Sequence, residues 1–426
     1  MAGGSRYLRL GVFGWRGAGM WRWGRLMHSK RGTIVPFEVA RWLSRRGVHR
    51  QKPSMLKPAV FLLFCVMVVV GCAGVPEELE TAEPAQPVAS ADVTEPDIPH
   101  DGTAEQSPGR EPGFDGARGE AEAAAVAAAD FLAQLDERQR AAAVLPYESD
   151  LIRNWSNLPP GVLRFERNGV RIGDLDETQQ EALHDFLATA MSPYGYETVT
   201  AVIAAEGVLE ETARARRLGW SADNYWLAFF GEPSPTDAWR WQFGGHHLAI
   251  NMSVRDGRVS MSPTFLGIEP ARFSDAEGIH VPFMDRVDAG LAVINSLDGN
   301  IAATALLDER PNALQSGTGP VGFVPFEGAS LESFSAAQRQ AVLDAAALWV
   351  NLMPEHSAQV RLEEIEAELE QAYFGWHGPA NGTGSIYYVI HGDTVLIEFS
   401  TQDPLGAAEG HIHSIYRDPT NEYGVG

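Results

Sequence analysis

Beyond about residue 120, the chain passes twice from helical spacing of its apolar residues to strict alternation of aromatic and aliphatic residues with others. That order, met twice, restricts the fold more than any other feature, because helical spacing and alternation bury different faces of the backbone. In the first half Phe131, Leu132, Leu135, Asp136, Ala141, Val144 and Leu145 predict a helix, a turn and a second short helix. At one constant offset, Val293, Ile294, Leu297, Asp298, Ala303, Leu306 and Leu307 predict the same again. Each block leads to a capping-box helix start, Asp176-Glu177-Thr178-Gln179 and Ser335-Ala336-Ala337-Gln338. Further helices are predicted over 195–216 and 355–372. Alternating strands follow: Tyr225–Phe230, Trp239–Phe243, His247–Val254 and Val259–Phe265 in one half, and Tyr373–Trp376, Ile386–Ile390, Thr394–Ser400 and Gly410–Tyr416 in the other. The residues predict an α+β fold of two pseudo-repeated units, about 120–285 and 286–426, each of helices followed by an antiparallel β-meander, sharing one core. Because the offset shifts between blocks, two unrelated amphipathic stretches would also give part of this match. Asn154–Gly173 and Thr264–Asp285 fit neither unit and are expected to wrap the core or cover a cleft.

The region before 119 reads differently. Met55 is followed by one lysine, an apolar run Ala59–Val70 and then Val69-Val70-Gly71-Cys72. This is the order of a bacterial lipoprotein signal peptide over 55–71, and the run is shorter than the roughly 20 residues a spanning helix needs. By that pattern Cys72 is the lipidated first residue of the mature protein; a membrane anchor ending in a buried cysteine is the alternative. Either places the remainder outside the cytoplasm, in the cell envelope on the periplasmic or outer-membrane face. Residues 1–54 point to a start assigned too far upstream, and Ser44-Arg45-Arg46 lies too far from the apolar run for a twin-arginine signal. From 72 to 118 the chain is rich in Pro, Glu, Asp and Ala and is expected to be a disordered tether.

Charge excludes one class of partner. Thirteen of the 33 Lys and Arg precede Cys72 with a single acid, Glu38, leaving 20 arginines against 55 acids beyond. So acidic a body repels phosphate backbones, which excludes nucleic acid as a partner. The cysteine count excludes disulfides, thiolate metal sites and cysteine nucleophiles in the mature domain, because only Cys65 and Cys72 exist. Gly317-Thr318-Gly319-Pro320-Val321-Gly322 has dinucleotide-binding spacing in letters alone, with no strand before it or helix after it.

Chemistry concentrates in two histidine pairs, His246-His247 at a strand start and His411-Ile412-His413 on another strand. On a strand His411 and His413 point the same way, about 7 Å apart at the backbone, which offers two metal ligands. Glu398 is a lone acid on the apolar strand before them, costly unless paired, protonated or bound to a cation. With neighbouring strands, Glu398, His411 and His413 make the ligand set of open zinc or iron sites, with His246 or His247 as a fourth ligand. Asn251 stands at the Glu398 position of the first unit. A metal-free polar ligand or catalytic site and a purely structural hydrogen-bond network are the other readings of the same residues. Arg417 either holds an anionic substrate or pairs with Asp418. Trp239, Trp241, Tyr387 and Tyr388 either line a groove or pack the sheet.

Gly245-His246-His247-Leu248-Ala249-Ile250-Asn251, Pro263-Thr264-Phe265-Leu266-Gly267, Phe374-Gly375-Trp376, Tyr387-Tyr388, Leu396-Ile397-Glu398-Phe399 and the run His411–Gly424 resemble the bacterial family named domain of unknown function 3500. The resemblance covers about 120–424. It departs at Ile415-Tyr416, where an aromatic pair with Trp is common, and in the loop 400–410. It implies an exported or anchored bacterial protein and supports the histidine-rich strands as a site. Two functions follow as expectations: a lipid-anchored metal-dependent hydrolase or oxidoreductase using zinc or iron, with Glu398 and Arg417 in the chemistry, or a binding lipoprotein whose histidines and aromatics hold a small polar ligand or a partner protein.

Overall fold

Four of the nine helices in the described residues begin at a residue whose side chain accepts from the first turn: Asp136, Asp176, Ser192 and Ser335. A computed structural model describes residues 112–162, 166–275, 278–311, 314, 326–403 and 410–425. The expected leader, the expected signal peptide with Cys72, most of the expected tether and the glycine-rich stretch 317–322 lie outside them. The helices are α1 (Pro112–Gln134), α2 (Glu137–Ala143), α3 (Glu177–Ala190), α4 (Pro193–Glu210), α5 (Ala215–Leu218), α6 (Met284–Ser296), α7 (Gly299–Ala305), α8 (Ala336–Val350) and α9 (Glu355–Glu368). Both expected capping boxes are formed, Asp176 with Gln179 and Ser335 with Gln338. Each capping glutamine also reaches back to the preceding long helix: Gln179 donates to the Gln134 carbonyl at 2.9 Å and Gln338 to the Ser296 carbonyl at 2.7 Å. The helix expected over 195–216 is divided into α4 and α5, and Gly219 ends α5 in the left-handed conformation that costs glycine least. Helix α1 begins ahead of Glu120, inside the expected tether. Its alanines at 117, 121, 124, 125 and 128 are buried and form a close packing face, of which Ala117 falls within the expected tether.

The strands are β1 (Val144–Leu145), β2 (Val170–Arg171), β3 (Tyr225–Phe230), β4 (Trp239–Gly245), β5 (Leu248–Arg255), β6 (Arg258–Met261), β7 (Thr264–Ile268), β8 (Phe273–Ser274), β9 (Ile279–His280), β10 (Ala329–Ser330), β11 (Tyr373–His377), β12 (Tyr387–His391), β13 (Leu396–Thr401) and β14 (Ile412–Arg417). All but β8 and β9, which form a small ribbon, join one mostly antiparallel sheet in the order β1-β3-β4-β5-β7-β14-β13-β12-β11-β10, with β2 on β3 and β6 on β5. The strand expected over Val259–Phe265 is broken at Ser262-Pro263, since proline has no N–H for a ladder. Its second part becomes β7 and carries the sheet across to β14. Near one edge β1 runs parallel to β3; near the other, Leu306 makes a parallel bridge to Trp376 of β11.

Alternation divides the sheet into two unlike faces. One face, with Trp239, Trp241, Phe243, Ile250, Trp376, Tyr388 and Phe399, packs under the helices in the main core. Trp239, Trp241 and Tyr388 are fully buried there, so of the two readings of these rings the packing one describes them. The opposite face carries buried polar residues, among them Arg240, Gln242, Asn251, Ser253, Glu398, Ser400 and Arg417. Of the expected wrapping segment 154–173, Trp155 and Asn168 reach this face, whereas Val170–Arg171 forms β2 on β3. Asn168 donates to Gln242 at 2.9 Å, and Trp155 donates to the Tyr423 hydroxyl at 3.0 Å. No described helix is long and apolar enough to cross a membrane.

Candidate metal centre

His246 and His247 do not start a strand; they are the two-residue turn between β4 and β5, closed by the Gly245–Leu248 pair. His247 takes φ of 61°, a left-handed backbone that a residue with a side chain keeps only where its surroundings hold it. Its N–H donates to the Asn157 carbonyl at 3.2 Å and its carbonyl accepts from Gly267 N–H at 2.7 Å. The Tyr225 hydroxyl donates to the His246 carbonyl at 3.1 Å.

The second pair arrives on β14. His411 directly precedes the strand and His413 lies within it, on the same face, and their Nε2 atoms are 2.9 Å apart. His413 pairs with Gly267 of β7, and β7 pairs with β5 next to the histidine turn. The register therefore brings both pairs to one end of the sheet, where His411 Nε2 also lies 2.9 Å from His247 Nε2. Gly267 makes this approach possible. A methyl group there would stand 3.0 Å from His413 Cδ2 and 3.1 Å from His247 Cδ2. Gly267→Ala is expected to push the two rings apart and weaken zinc binding about tenfold, as outer-shell changes do; a titration against a chromophoric chelator checks it, and an unaltered affinity contradicts it.

Around a tetrahedral metal with bonds of about 2.0–2.1 Å, ligand nitrogens lie roughly 3.3 Å apart. His411 Nε2 needs only a small spread from its two neighbours to reach that geometry, and the ligand atoms of all three lie within 4.8 Å of one another. His247 is buried, whereas His411 and His413 are half-buried, so two of the three residues keep some solvent exposure. Burial lowers His411 to about 4 and His413 to about 3, with neighbouring imidazoles adding to the effect, and sends His247 well below the ordinary range for the same reasons. All three are neutral near pH 7, the state in which imidazole binds a metal. Because these values lie below the unfolded value of about 6.5, the unfolded chain takes up protons first as pH falls. Stability is therefore present above about pH 6.5 and lost as pH drops toward 4 and 3. Melts of chelator-treated protein at pH 7 and pH 5 check this. A lower Tm at pH 5 is expected, with a smaller drop when His411 and His413 are both alanine.

A second group adjoins the first. Glu206 of α4, only 2% exposed, places Oε2 at 2.7 Å from His246 Nδ1. Ligand atoms of Glu206, His246 and His247 all lie within 4.8 Å of one another, as do those of His247, His411 and His413. The alternation of strands could not reveal Glu206. Its sequence signal is an acid set among Val202, Ala205 and Leu209, the buried residues of its own helix.

A family model described as Protein of unknown function (DUF3500) matches residues 117–425. The chain belongs to this family. No curated protein and no solved structure matches it.

In this DUF3500 chain the other two expected site residues lie apart from the histidines. Glu398 is buried and its Oε1 accepts from the Tyr387 hydroxyl at 2.8 Å. On β13 it pairs with Ile415, whereas His413 pairs with Ser400; Glu398 is in neither group of convergent ligand atoms. Strand adjacency was read correctly, but the register sets the carboxylate two residues along from the imidazole. Arg417 is also buried and donates to Glu422. Asp418, its expected partner, faces Arg361 at 3.4 Å, because the chain turns away between residues 417 and 418 where β14 ends. A cavity of about 730 Å³ opens at the other end of the same strands, beside Arg361, Tyr416 and Asp418. Several of its polar groups are already engaged, Arg361 with Tyr416 and Asp418, and Ser357 with Glu120, and none of the converging histidines lines it.

Proposed function

We propose that this DUF3500 protein is a lipid-anchored, extracytoplasmic metalloprotein whose zinc or iron ion is held by His247, His411 and His413 and serves a hydrolase or oxidoreductase reaction. The observation that carries the proposal is the convergence of three buried or half-buried imidazole nitrogens, with contacts of 2.9 Å. Three neutral lone pairs facing one another can share at most one proton between any two; a divalent cation satisfies all three. The partial exposure of His411 and His413 supports a coordination position left for water or substrate, which is the arrangement of catalytic sites, not of closed structural ones. There a cation would polarise a carbonyl or phosphoryl oxygen or activate water. Anchoring through Cys72 rests on the signal pattern of 55–72, and membrane attachment is the partner it implies.

The halves fit the expected pair of repeats sharing one core. The strand order β3-β4-β5-β7 is met in mirror sequence as β14-β13-β12-β11, the two capping glutamines tie corresponding pairs of helices, α3 to α1 and α8 to α6, and one main core draws residues from both halves. In such a pair the centre lies where the units meet, at the β7–β14 junction, with ligands drawn from both.

Elemental analysis of the chain purified without a histidine tag tests the function. One equivalent of zinc or iron, together with perturbation of the cobalt-substituted spectrum by added azide, is the expected result. A bound metal that ignores azide would support a closed, non-catalytic centre. No metal would return the histidines to a binding or structural role.

A further inference from the structure

The group least explained by folding alone is Glu206. A carboxylate buried in the middle of a helix is costly unless its oxygens are paired. Here Oε2 meets His246 Nδ1 at 2.7 Å, while Oε1 is buried with no hydrogen-bond partner among the described residues. Arg167, which donates to the carbonyls of Ser156 and Leu158, lies close enough to feel it: burial lowers this guanidinium to about 10, and Tyr225 and then Glu206 oppose that fall.

The contacts of His246 say what the carboxylate does. One face of the ring stacks on His247, with centroids 3.6 Å apart at 28°, and the ring also stacks on Trp220 at 6.2 Å and 23°. Stacking fixes the plane of His246 but does not choose between the two ring orientations related by a half-turn about Cβ–Cγ, and the bond from Nδ1 to Glu206 chooses one. A fixed His246 in turn gives His247 a wall against which its own ring is set, with Nε2 facing His411. A carboxylate behind histidine is a recurrent way of orienting imidazoles at metals and of adding negative charge beside the cation. In the metal-free state one carboxylate oxygen is without a hydrogen-bond partner among the described residues and the three converging nitrogens cannot all be satisfied by one another; a cation held by them would satisfy the nitrogens and offset the carboxylate charge through the low-dielectric interior.

We propose that Glu206 is a positioning residue of the metal centre: it holds His246 against His247 and supplies the negative charge that favours a divalent cation there. This rests on the reading of His247, His411 and His413 as the ligands, and the test is built to separate the two. Full-length protein, Glu206→Gln and His411→Ala are titrated with zinc and with cobalt, and the melting of each chelator-treated protein is recorded. Glutamine keeps the size of the side chain and an oxygen able to accept from His246, while removing the charge. The expected result is zinc binding 10- to 100-fold weaker in Glu206→Gln, a shifted cobalt absorption band, and a metal-free Tm equal to or above that of the parent. A purely structural glutamate would do the opposite, lowering the metal-free Tm and leaving affinity within twofold, and that overturns the proposal. If His411→Ala also keeps full affinity, the ligand reading itself fails; if His411→Ala loses the metal and Glu206→Gln does not, only the role of Glu206 fails. Should Glu206→Gln not fold, Glu206→Asp retains the charge but withdraws it from His246. At least fivefold weaker binding in that variant supports positioning, and unchanged binding overturns it.

Discussion

Replacing His411 or His413 by alanine is expected to lower zinc affinity on the order of 100-fold or more, the consequence of taking one ligand from three. The two sites are chosen because they differ in what else they touch. His411 lies outside β14 and half-buried, so its loss leaves the ladder intact. His413 packs edge-on against Phe265 at 5.3 Å, and its loss also opens a small gap. Equal loss of metal with unequal loss of stability, His413→Ala melting lower, separates ligation from packing. Competition with a chelator of known affinity measures the first and thermal melting the second. Affinity within threefold of the parent in both variants would show that the nitrogens converge without binding.

The second large effect concerns Arg417, which the sequence admits either as a substrate-binding cation or as half of an ion pair. In the structure it is 2% exposed and bonded to Glu422, itself 7% exposed. Removing one partner of a buried pair leaves the other charge stranded, at a cost of about 3–5 kcal/mol. Arg417→Met is therefore expected to lower stability by about that amount in urea unfolding. Its metal content should not change, because the guanidinium lies toward the opposite end of β14 from His411 and His413. Full stability with altered activity would instead mark Arg417 as a substrate-binding residue. Restoring balance with Arg417→Met and Glu422→Leu together should recover much of the loss, since two well-packed apolar residues replace a buried pair at little cost.

Local pattern carried much of the fold and part of the site. Alternation and capping boxes located the main strands and the starts of α3 and α8, because those signals lie within a few residues of the features they specify. The H-x-H spacing was legible for the same reason: two residues apart on a strand is one face. What was not legible depends on pairing. The break at Pro263 turns one expected strand into β6 and β7, and only with β7 between β5 and β14 does the turn at His246-His247 reach His411. Gly267, a residue with no chemistry, is what lets the rings approach. Glu398 looked like the missing ligand because its strand neighbours that of His413, yet register, which alternation does not specify, puts Ser400 opposite the histidine instead. Glu206 comes from a helix remote in sequence and meets His246 only through tertiary packing.

The central claim is a metal ion held by three histidines contributed by both halves of the sheet. Its most direct test is anomalous diffraction from crystals of the untagged protein, recorded above and below the zinc and iron absorption edges. The account predicts one strong peak about 2.0–2.1 Å from the Nε2 atoms of His247, His411 and His413. A peak elsewhere, for example in the cavity beside Arg361, or no peak from protein supplied with both metals, would contradict it.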